Sequence, residues 1–288
     1  MEVCSTKGAI RGLVRNWRKS GNSLGLVPTM GYLHEGHLAL VRRARSETDR
    51  VVTSIFVNPT QFGPNEDLQT YPRDEKRDLA LLEAEGVDAV FMPDVEEMYG
   101  AAGDTFVEVP GLSARLQGAL RPGHFRGVTT VVTKLFNIVQ PDVAVFGEKD
   151  YQQLTIIRQM VKDLDVPLRI VGQPTVREPD GLALSSRNVR LAAKHRQQAT
   201  ALSKSLAVAA NMAKPQLRVA EMEREIRTIL EEAPDAEIKS VDILDATTLE
   251  PMPDILDRDA VILLAVRFGS VLLIDQKVIH VERYAREI

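Results

Sequence analysis

Two histidines three residues apart, His34 and His37, lie in the run Val27-Pro28-Thr29-Met30-Gly31-Tyr32-Leu33-His34-Glu35-Gly36-His37. An apolar strand-like stretch there gives way to a glycine-containing loop and then to a helical pattern. That order suits a nucleoside triphosphate. Gly31 and Gly36 let backbone approach phosphate closely, and a helix N-terminus offers unpaired amides and the positive end of a dipole. Where the helix begins, His34 and His37 can face one point and donate hydrogen bonds to charge developing at an α-phosphate. Such chemistry needs no protein nucleophile. A zinc reading fails on spacing, because a zinc-protease motif sets its histidines four apart on an established helix and takes a third ligand that His124, His195 and His280 do not evidently supply. The blander reading, two histidines that only cap a helix, is the weaker one for a pair with intervening glycine after a strand.

A second strand-loop-helix run is Gly147-Glu148-Lys149-Asp150-Tyr151-Gln152-Gln153. Lys149 offers phosphate a point charge, and Gln153, one turn on, can aim an amide into a crevice. Taken alone the run reads equally well as a helix capped by Asp150. In Leu184-Ser185-Ser186-Arg187-Asn188, two hydroxyls and a guanidinium stand side by side, a set fit to grip β- and γ-phosphates. Asn58-Pro59-Thr60-Gln61-Phe62 and Arg121-Pro122-Gly123-His124-Phe125-Arg126-Gly127 complete the polar inventory, with turn chemistry around Pro59 and Pro122 as their plain alternative. Gln61 and Gln153 are neutral donor-acceptor groups able to hold a substrate that carries both hydroxyl and carboxylate. Neither a GxxxxGK[ST] loop nor a GxGxxG fingerprint occurs, so P-loop phosphoryl transfer and dinucleotide oxidoreduction lose their usual support.

What must position these residues is an alternation of short apolar runs and helical patterns. Strands are expected at 24–27, 51–57, 89–92, 143–146 and 168–171, and helices at 37–46, 74–85, 128–139 and 151–164. Continuous apolar strands are buried on both faces, so the expectation is an α/β fold: a Rossmann-type parallel sheet flanked by helices. Ligands in such sheets bind beyond the carboxyl ends of the strands, where the candidate loops fall. After Pro174 the rhythm changes to helical stretches at 192–213 and 219–232, then strands at 238–244, 261–267 and 271–274. That predicts a Rossmann-type domain over 1–175 and a smaller C-terminal α+β domain over 176–288 that closes as a lid.

The 288 residues, 44% hydrophobic and 26% charged, fit two packed domains. A net charge of −4 disfavours nucleic acid and anionic membrane as partners. Cys4 is the single cysteine, expected at a frayed terminus, so no internal disulfide and no cysteine-rich zinc site can form, in keeping with a reducing cytoplasm. The apolar run 260–266 is far too short to span a membrane, and the first residues lack a signal-peptide apolar stretch.

Five segments, PTMGYLHEGH, SIFVNPTQFGPNEDLQTYPR, RPGHFRGVTTVVTKLF, FGEKDYQQL and LALSSRN, in this order and spacing, resemble the pantothenate synthetase (pantoate-β-alanine ligase) family. The HxGH element alone places the chain only in the wider HxGH nucleotidylyltransferase superfamily. The resemblance covers essentially the whole chain. It implies ATP-dependent condensation of pantoate with β-alanine through a pantoyl adenylate, with release of pyrophosphate and AMP, Mg²⁺ accompanying ATP, and a homodimer. It further implies that Met30, Gly31, Tyr32, Leu33, His34, Glu35, Gly36 and His37 contact ATP, with His37 as proton donor and His34 as its partner. Gly147, Glu148, Lys149, Asp150, Val176, Leu184, Ser185, Ser186 and Arg187 would complete the ATP site. Gln61 and Gln153 would bind pantoate, Gln61 also adjoining β-alanine, with Arg121 and His124 nearby and Phe62, Val131 and Val132 as an apolar wall for the geminal methyls. Leu184 stands where the family commonly has Met, a volume-conserving change. Thr60 stands where a bulkier apolar residue is frequent. The Mg²⁺ ligands stay open, with Asp78 an acidic candidate near the crevice. The rivals are a nucleotidylyltransferase with a phosphate acceptor, which needs a further basic pocket, and a silent nucleotide-binding module.

Overall fold

The computed structural model describes residues 1–64, 66, 68–100 and 103–281. By internal contacts the chain forms two units: 1–148 with 152–174, and 149–151 with the described chain from Thr175 onward. Lys149, Asp150 and Tyr151 thus group with the second unit although the chain on either side of them belongs to the first.

The first unit holds six strands: β1 (Glu2–Cys4), β2 (Leu24–Thr29), β3 (Arg50–Ile55), β4 (Ala89–Phe91), β5 (Val143–Gly147) and β6 (Arg169–Gln173). They form one sheet in the order β1-β4-β3-β2-β5-β6, every pairing parallel. Its helices are α1 (Lys7–Lys19), α2 (Glu35–Glu47), α3 (Glu75–Ala84), α4 (Val95–Tyr99), α5 (Pro110–Ser113), α6 (Gln117–Leu120), α7 (His124–Val139) and α8 (Tyr151–Asp163). The fold class is α/β as the sequence predicts. The apolar runs explain it: Leu24, Leu26 and Val27 on β2 and Val51, Val52 and Thr53 on β3 are all but inaccessible, because helices cover both faces. Each large apolar side chain so buried contributes about 1.5–3 kcal/mol.

The chain runs outward from β2 through β3 and β4, then returns to lay β5 on the other side of β2. The switch point of the sheet therefore lies between β2 and β5, the place beyond whose strand ends such sheets bind their ligands. Their pairing covers only Gly25 with Val143 and Leu26 with Ala144. The strands have parted before Pro28, which has no N–H to give a ladder.

Two expectations are corrected. Cys4 is not frayed: it is 5% exposed, β1 pairs with Ala89–Phe91 at the sheet edge, and the Met92 amide donates to the Cys4 carbonyl at 2.8 Å. Thr6 then caps α1 by accepting from the Ala9 amide, and α1 lays Ile10 and Val14 on the core. The single helix expected over 192–213 is two, α9 (Ala193–Gln198) and α10 (Ala201–Met212). At the break the Leu202 amide reaches back only three residues to Ala199, and the Thr200 hydroxyl donates to the Gln197 carbonyl.

The second unit adds α11 (Val219–Glu231) and an antiparallel sheet of β7 (Ala236–Asp245), β8 (Ala260–Phe268) and β9 (Val271–Ile279), in that order. Leu202, Leu206, Met222, Ile226 and Leu230 from α10 and α11 share a core with Ile262, Leu264 and Val266 of β8. Among the described residues no helix is long and apolar enough to cross a membrane.

Candidate active site

The start of α2 is built from its histidines. His34 is the N-cap, and its Nδ1 accepts from the Gly36 amide at 3.1 Å. His37, at the third helical position, accepts the His34 amide on its own Nδ1 at 3.3 Å. This is a reciprocal capping box made with imidazoles in place of hydroxyl and carboxylate. An Nδ1 that accepts carries no proton, so in each neutral ring the proton sits on Nε2. The ring centroids are 4.1 Å apart. Two Nε2–H donors therefore stand together at the switch point of the sheet, beside the N-terminal amides of α2. The capping reading and the phosphate reading of this pair do not compete for the same atom, since capping uses Nδ1 of each ring.

The loop before them is held in an unusual shape. Gly31 and Tyr32 both take positive φ, 82° and 52°; a side chain at Gly31 would meet Ile55 and Asp78 at 3.0 and 3.1 Å. Asp78 of α3 is 1% exposed. Its two oxygens accept the Tyr32 amide at 2.6 Å and the Leu33 amide at 2.7 Å. Both oxygens of Asp78 thus serve the backbone of this loop, a structural role beside the Mg²⁺ reading of the sequence. Among the described residues no three His, Cys, Asp or Glu side chains cluster as a metal site.

Beyond β3, Asn58 is 1% exposed and organises the Pro59–Gln61 turn. Its Nδ2 donates to Gln61 Oε1 at 3.0 Å and to the Gly127 carbonyl at 3.2 Å. Its Oδ1 accepts from the Thr60 hydroxyl at 2.9 Å and the Tyr99 hydroxyl at 2.7 Å. Burial pushes the Tyr99 phenol up, which keeps it a donor. With Oε1 occupied, Gln61 presents its Nε2, which lies 3.4 Å from Met30 Sδ. Gly127 permits this packing, because a Cβ there would stand 2.3 Å from the Thr60 carbonyl oxygen.

Arg121 and His124 act on the same turn from its backbone side. Arg121 Nε donates to Glu66 at 2.6 Å, and its guanidinium also reaches His124 Nε2 at 3.1 Å. A guanidinium only donates and a carbonyl only accepts, so His124 carries its proton on Nδ1 and donates to the Gln61 carbonyl at 2.8 Å. The Arg121 guanidinium holds the Glu66 carboxyl below the usual carboxylate range. Gln61, Phe62, Arg121 and His124 all line a pocket of about 1330 Å³. Val131 and Val132 are 6% and 4% exposed and belong to the core under α7.

At the end of β5 the adjacent glutamines differ. Gln152 is 1% exposed; its amide nitrogen donates to the Leu112 and Arg115 carbonyls and its oxygen accepts the Gln117 amide. Gln153 is half-buried and takes no part in that set of bonds. Lys149 Nζ lies 3.9 Å from the Asp150 carboxylate. In the second unit, the Leu184 amide donates to the Val176 carbonyl at 3.0 Å, so these two predicted ATP residues are neighbours. Ser185 turns the next residues by accepting the Arg187 amide on its hydroxyl at 3.2 Å and the Asn188 amide on its carbonyl at 3.0 Å. Sequence reasoning gives Asn58, Tyr99 and Gly127 no role of their own and reads Asp78 only as a metal candidate. Of these, Asn58 alone carried a signal, a capping side chain just before Pro59.

The model of the pantoate-beta-alanine ligase family matches residues 2–278. A protein of Moorella thermoacetica called pantothenate synthetase is 54% identical over 286 residues, covering 98% of this chain and 99% of that protein. The crystal structure of pantothenate synthetase from Thermus thermophilus superposes with a TM-score of 0.90 at 48% identity, over 96% of this chain and 99% of that one. A Francisella tularensis pantoate-beta-alanine ligase, solved with β-γ ATP and β-alanine, gives a TM-score of 0.78 at 34% identity, over 96% of this chain and 97% of that one.

Proposed function

The chain belongs to the pantoate-beta-alanine ligase family, and from that premise we propose that it condenses pantoate with β-alanine to pantothenate at the expense of ATP. A pantoate carboxylate oxygen attacks the α-phosphorus; the bond to the bridging oxygen breaks and pyrophosphate leaves. The β-alanine nitrogen then attacks the acyl carbon of the pantoyl adenylate, loses a proton, and AMP departs. The intermediate is a reactive mixed anhydride, so the work of the protein is positioning, charge stabilisation and exclusion of water.

The observation that carries this reading is the pair of Nε2–H donors of His34 and His37 at the first turn of α2. Both bonds strengthen as charge gathers on the α-phosphoryl oxygens, and His37 is the proton donor. Lys149 neutralises phosphate charge, and Ser185, Ser186 and Arg187 hold the β- and γ-phosphates. Met30 to Leu33, Glu35, Gly36, Gly147, Glu148, Asp150, Val176 and Leu184 shape the rest of the nucleotide site. Gln61 and Gln153 grip pantoate by its hydroxyl and carboxylate, while Phe62, Val131 and Val132 meet its methyls. Mg²⁺ enters as MgATP, carried by the phosphates. Residues 176–288 serve as the lid, and the active species is a cytoplasmic homodimer. Scattering tests both points: an unchanged radius of gyration on adding an ATP analogue ends the lid, and a mass near the 31.9 kDa of one chain ends the dimer.

The deciding experiment measures AMP and pyrophosphate formed from ATP and Mg²⁺ with and without pantoate and β-alanine. AMP that needs both substrates, and that collapses in His37→Ala, is the expected result. Turnover independent of pantoate would overturn the reading.

A further inference from the structure

The Ser185–Arg187 loop begins where a short hairpin ends, and that hairpin is tied to a buried carboxylate far along the chain. Arg177 and Ala183 form an antiparallel bridge. Around it the Leu184 amide donates to Val176, the Glu178 amide to Leu182 and the Gly181 amide to Glu178. These bonds are local and few, and a hairpin this small does not hold its shape alone. Arg196 of α9 ties its turn, donating to Asp180 at 2.7 Å and to Glu178 at 2.8 Å, and its anchor to the sheet is Arg177. The guanidinium donates to both oxygens of Asp275 on β9, at 2.6 and 2.9 Å, and to the Gly181 carbonyl at 3.1 Å. One side chain thus spans the hairpin from its first strand to its turn and fixes both to the sheet.

The Asp275 side chain is 1% exposed and that of Arg177 28%. Asp275 also accepts the Gln276 amide at 2.8 Å. A bidentate pair with its carboxylate in the interior sets geometry more than it adds net stability, because desolvation offsets much of the attraction. A second tie acts at the loop itself, where Asn188 Nδ2 donates to the Ala183 carbonyl at 3.0 Å. The path from β9 to the loop is then continuous: Asp275, Arg177, the Ala183 and Leu184 backbone, Ser185.

We propose that Asp275, acting through Arg177, is a positioning residue that sets the Ser185–Arg187 loop for the phosphates of ATP. The proposal rests on the phosphate role given to that loop above. Neither residue touches the reacting atoms. Their effect is on how much of the population holds the loop ready, so it falls on nucleotide affinity and leaves the pantoate subsite alone.

The test compares Asp275→Asn, Arg177→Lys and Arg187→Ala with the wild type by steady-state kinetics, by calorimetric titration with a non-hydrolysable ATP analogue, and by amide exchange. Asp275→Asn is expected to raise the KM for ATP and the Kd for the analogue about tenfold, a change of about 1.4 kcal/mol, while the KM values for pantoate and β-alanine move less than about twofold. Arg177→Lys keeps the charge and loses the fork, and should fall between Asp275→Asn and wild type. Exchange at the Leu184 and Asn188 amides should speed up while β8 amides stay protected. A merely structural role gives another pattern: a lower Tm and a smaller active fraction, with every KM unchanged. That pattern, or equal rises in all three KM values, overturns the proposal. If Arg187→Ala itself leaves the ATP KM unchanged, the phosphate role of the loop has failed, and the proposal falls with it. If Arg187→Ala raises it and neither Asp275→Asn nor Arg177→Lys does, the loop reading stands and the positioning role falls. Should Asp275→Asn not fold, Arg177→Lys on the more exposed partner decides the matter.

Discussion

At the end of β2 the backbone is tied down before any ligand arrives: Asp78 takes two consecutive amides, and His34 and His37 cap each other's turn. At the end of β5 the residues with the same expected business are much looser. Lys149 has a 3.9 Å contact with Asp150, and Gln153 is half-buried. Yet Gln152, its immediate neighbour, is wired to three backbone groups of residues 112–117. On the proposed roles, the difference separates groups that must be preorganised, because they would meet charge that exists only in the transition state, from groups that could settle on a ground-state ligand when it binds. It also means that chemistry and stability are coupled at one strand end and separable at the other.

The largest expected effect tests that separation directly. His37→Ala should lower kcat about 10²–10³-fold, whereas Lys149→Ala should act mainly on the KM for ATP, raising it about tenfold; only His37→Ala removes a cap, at a cost of about 1 kcal/mol. Equal Tm values for the two variants would erase the contrast. Asp78→Ala comes next. It leaves the Tyr32 and Leu33 amides without their acceptor, at about 1–3 kcal/mol each, so a visibly lower Tm should accompany lost turnover. Turnover lost at an unchanged Tm would return Asp78 to the chemistry. Gly127→Ala drives a methyl into the Thr60 carbonyl oxygen and should destabilise by about 1–3 kcal/mol, raising the pantoate KM because the Gln61 turn must move. Gln153→Ala, at the loose end, should raise the pantoate KM about tenfold and shift Tm by less than about 1 °C.

The smallest effect concerns pH. Arg121 lowers the Glu66 carboxyl below its ordinary value of 4.5. A depressed carboxylate contributes stability above its unfolded pKa and loses it as pH falls through the folded one. The Tm difference between wild type and Glu66→Gln should therefore be largest near pH 7 and shrink as the pH falls below 4.5 and through the lowered folded value. A gap that persists in acid would show that Glu66 acts through packing instead.

The contrast also explains which features were legible beforehand. The parallel strands were, because 24–27 and 143–146 carry no polar side chain and 51–57 only Thr53 and Ser54, the near-continuous apolar runs of strands covered on both faces. So was the position of the candidate loops after β2, β3 and β5. The N-terminal β1 and α1 were not, since a three-residue strand carries no period and gains its place from pairing with β4, nearly ninety residues on. The backbone roles of Asp78 and Asn58 were passed over for the same reason. A carboxylate that serves the Tyr32 and Leu33 amides looks in sequence like any acid in the first turn of a helix, here α3. Sequence lists which groups exist; it does not say which ones the backbone has already claimed.

The spacing of His34 and His37 carries a lesson for recognising such proteins by pattern. Three residues is the separation of the N-cap and the third helical position, the two places a helix start needs filled. The string HxGH is thus fixed first by the grammar of a helix beginning, with Gly36 donating the amide that His34 accepts. A search for the letters alone will collect histidine pairs in loops and helix middles, where the rings have no amides to hold and no reason to face one way. A search that demands a buried strand before and a helix after asks for the grammar as well. The same holds for transplantation: moved to a scaffold without a free first turn, the four letters would arrive without the geometry that gives them meaning.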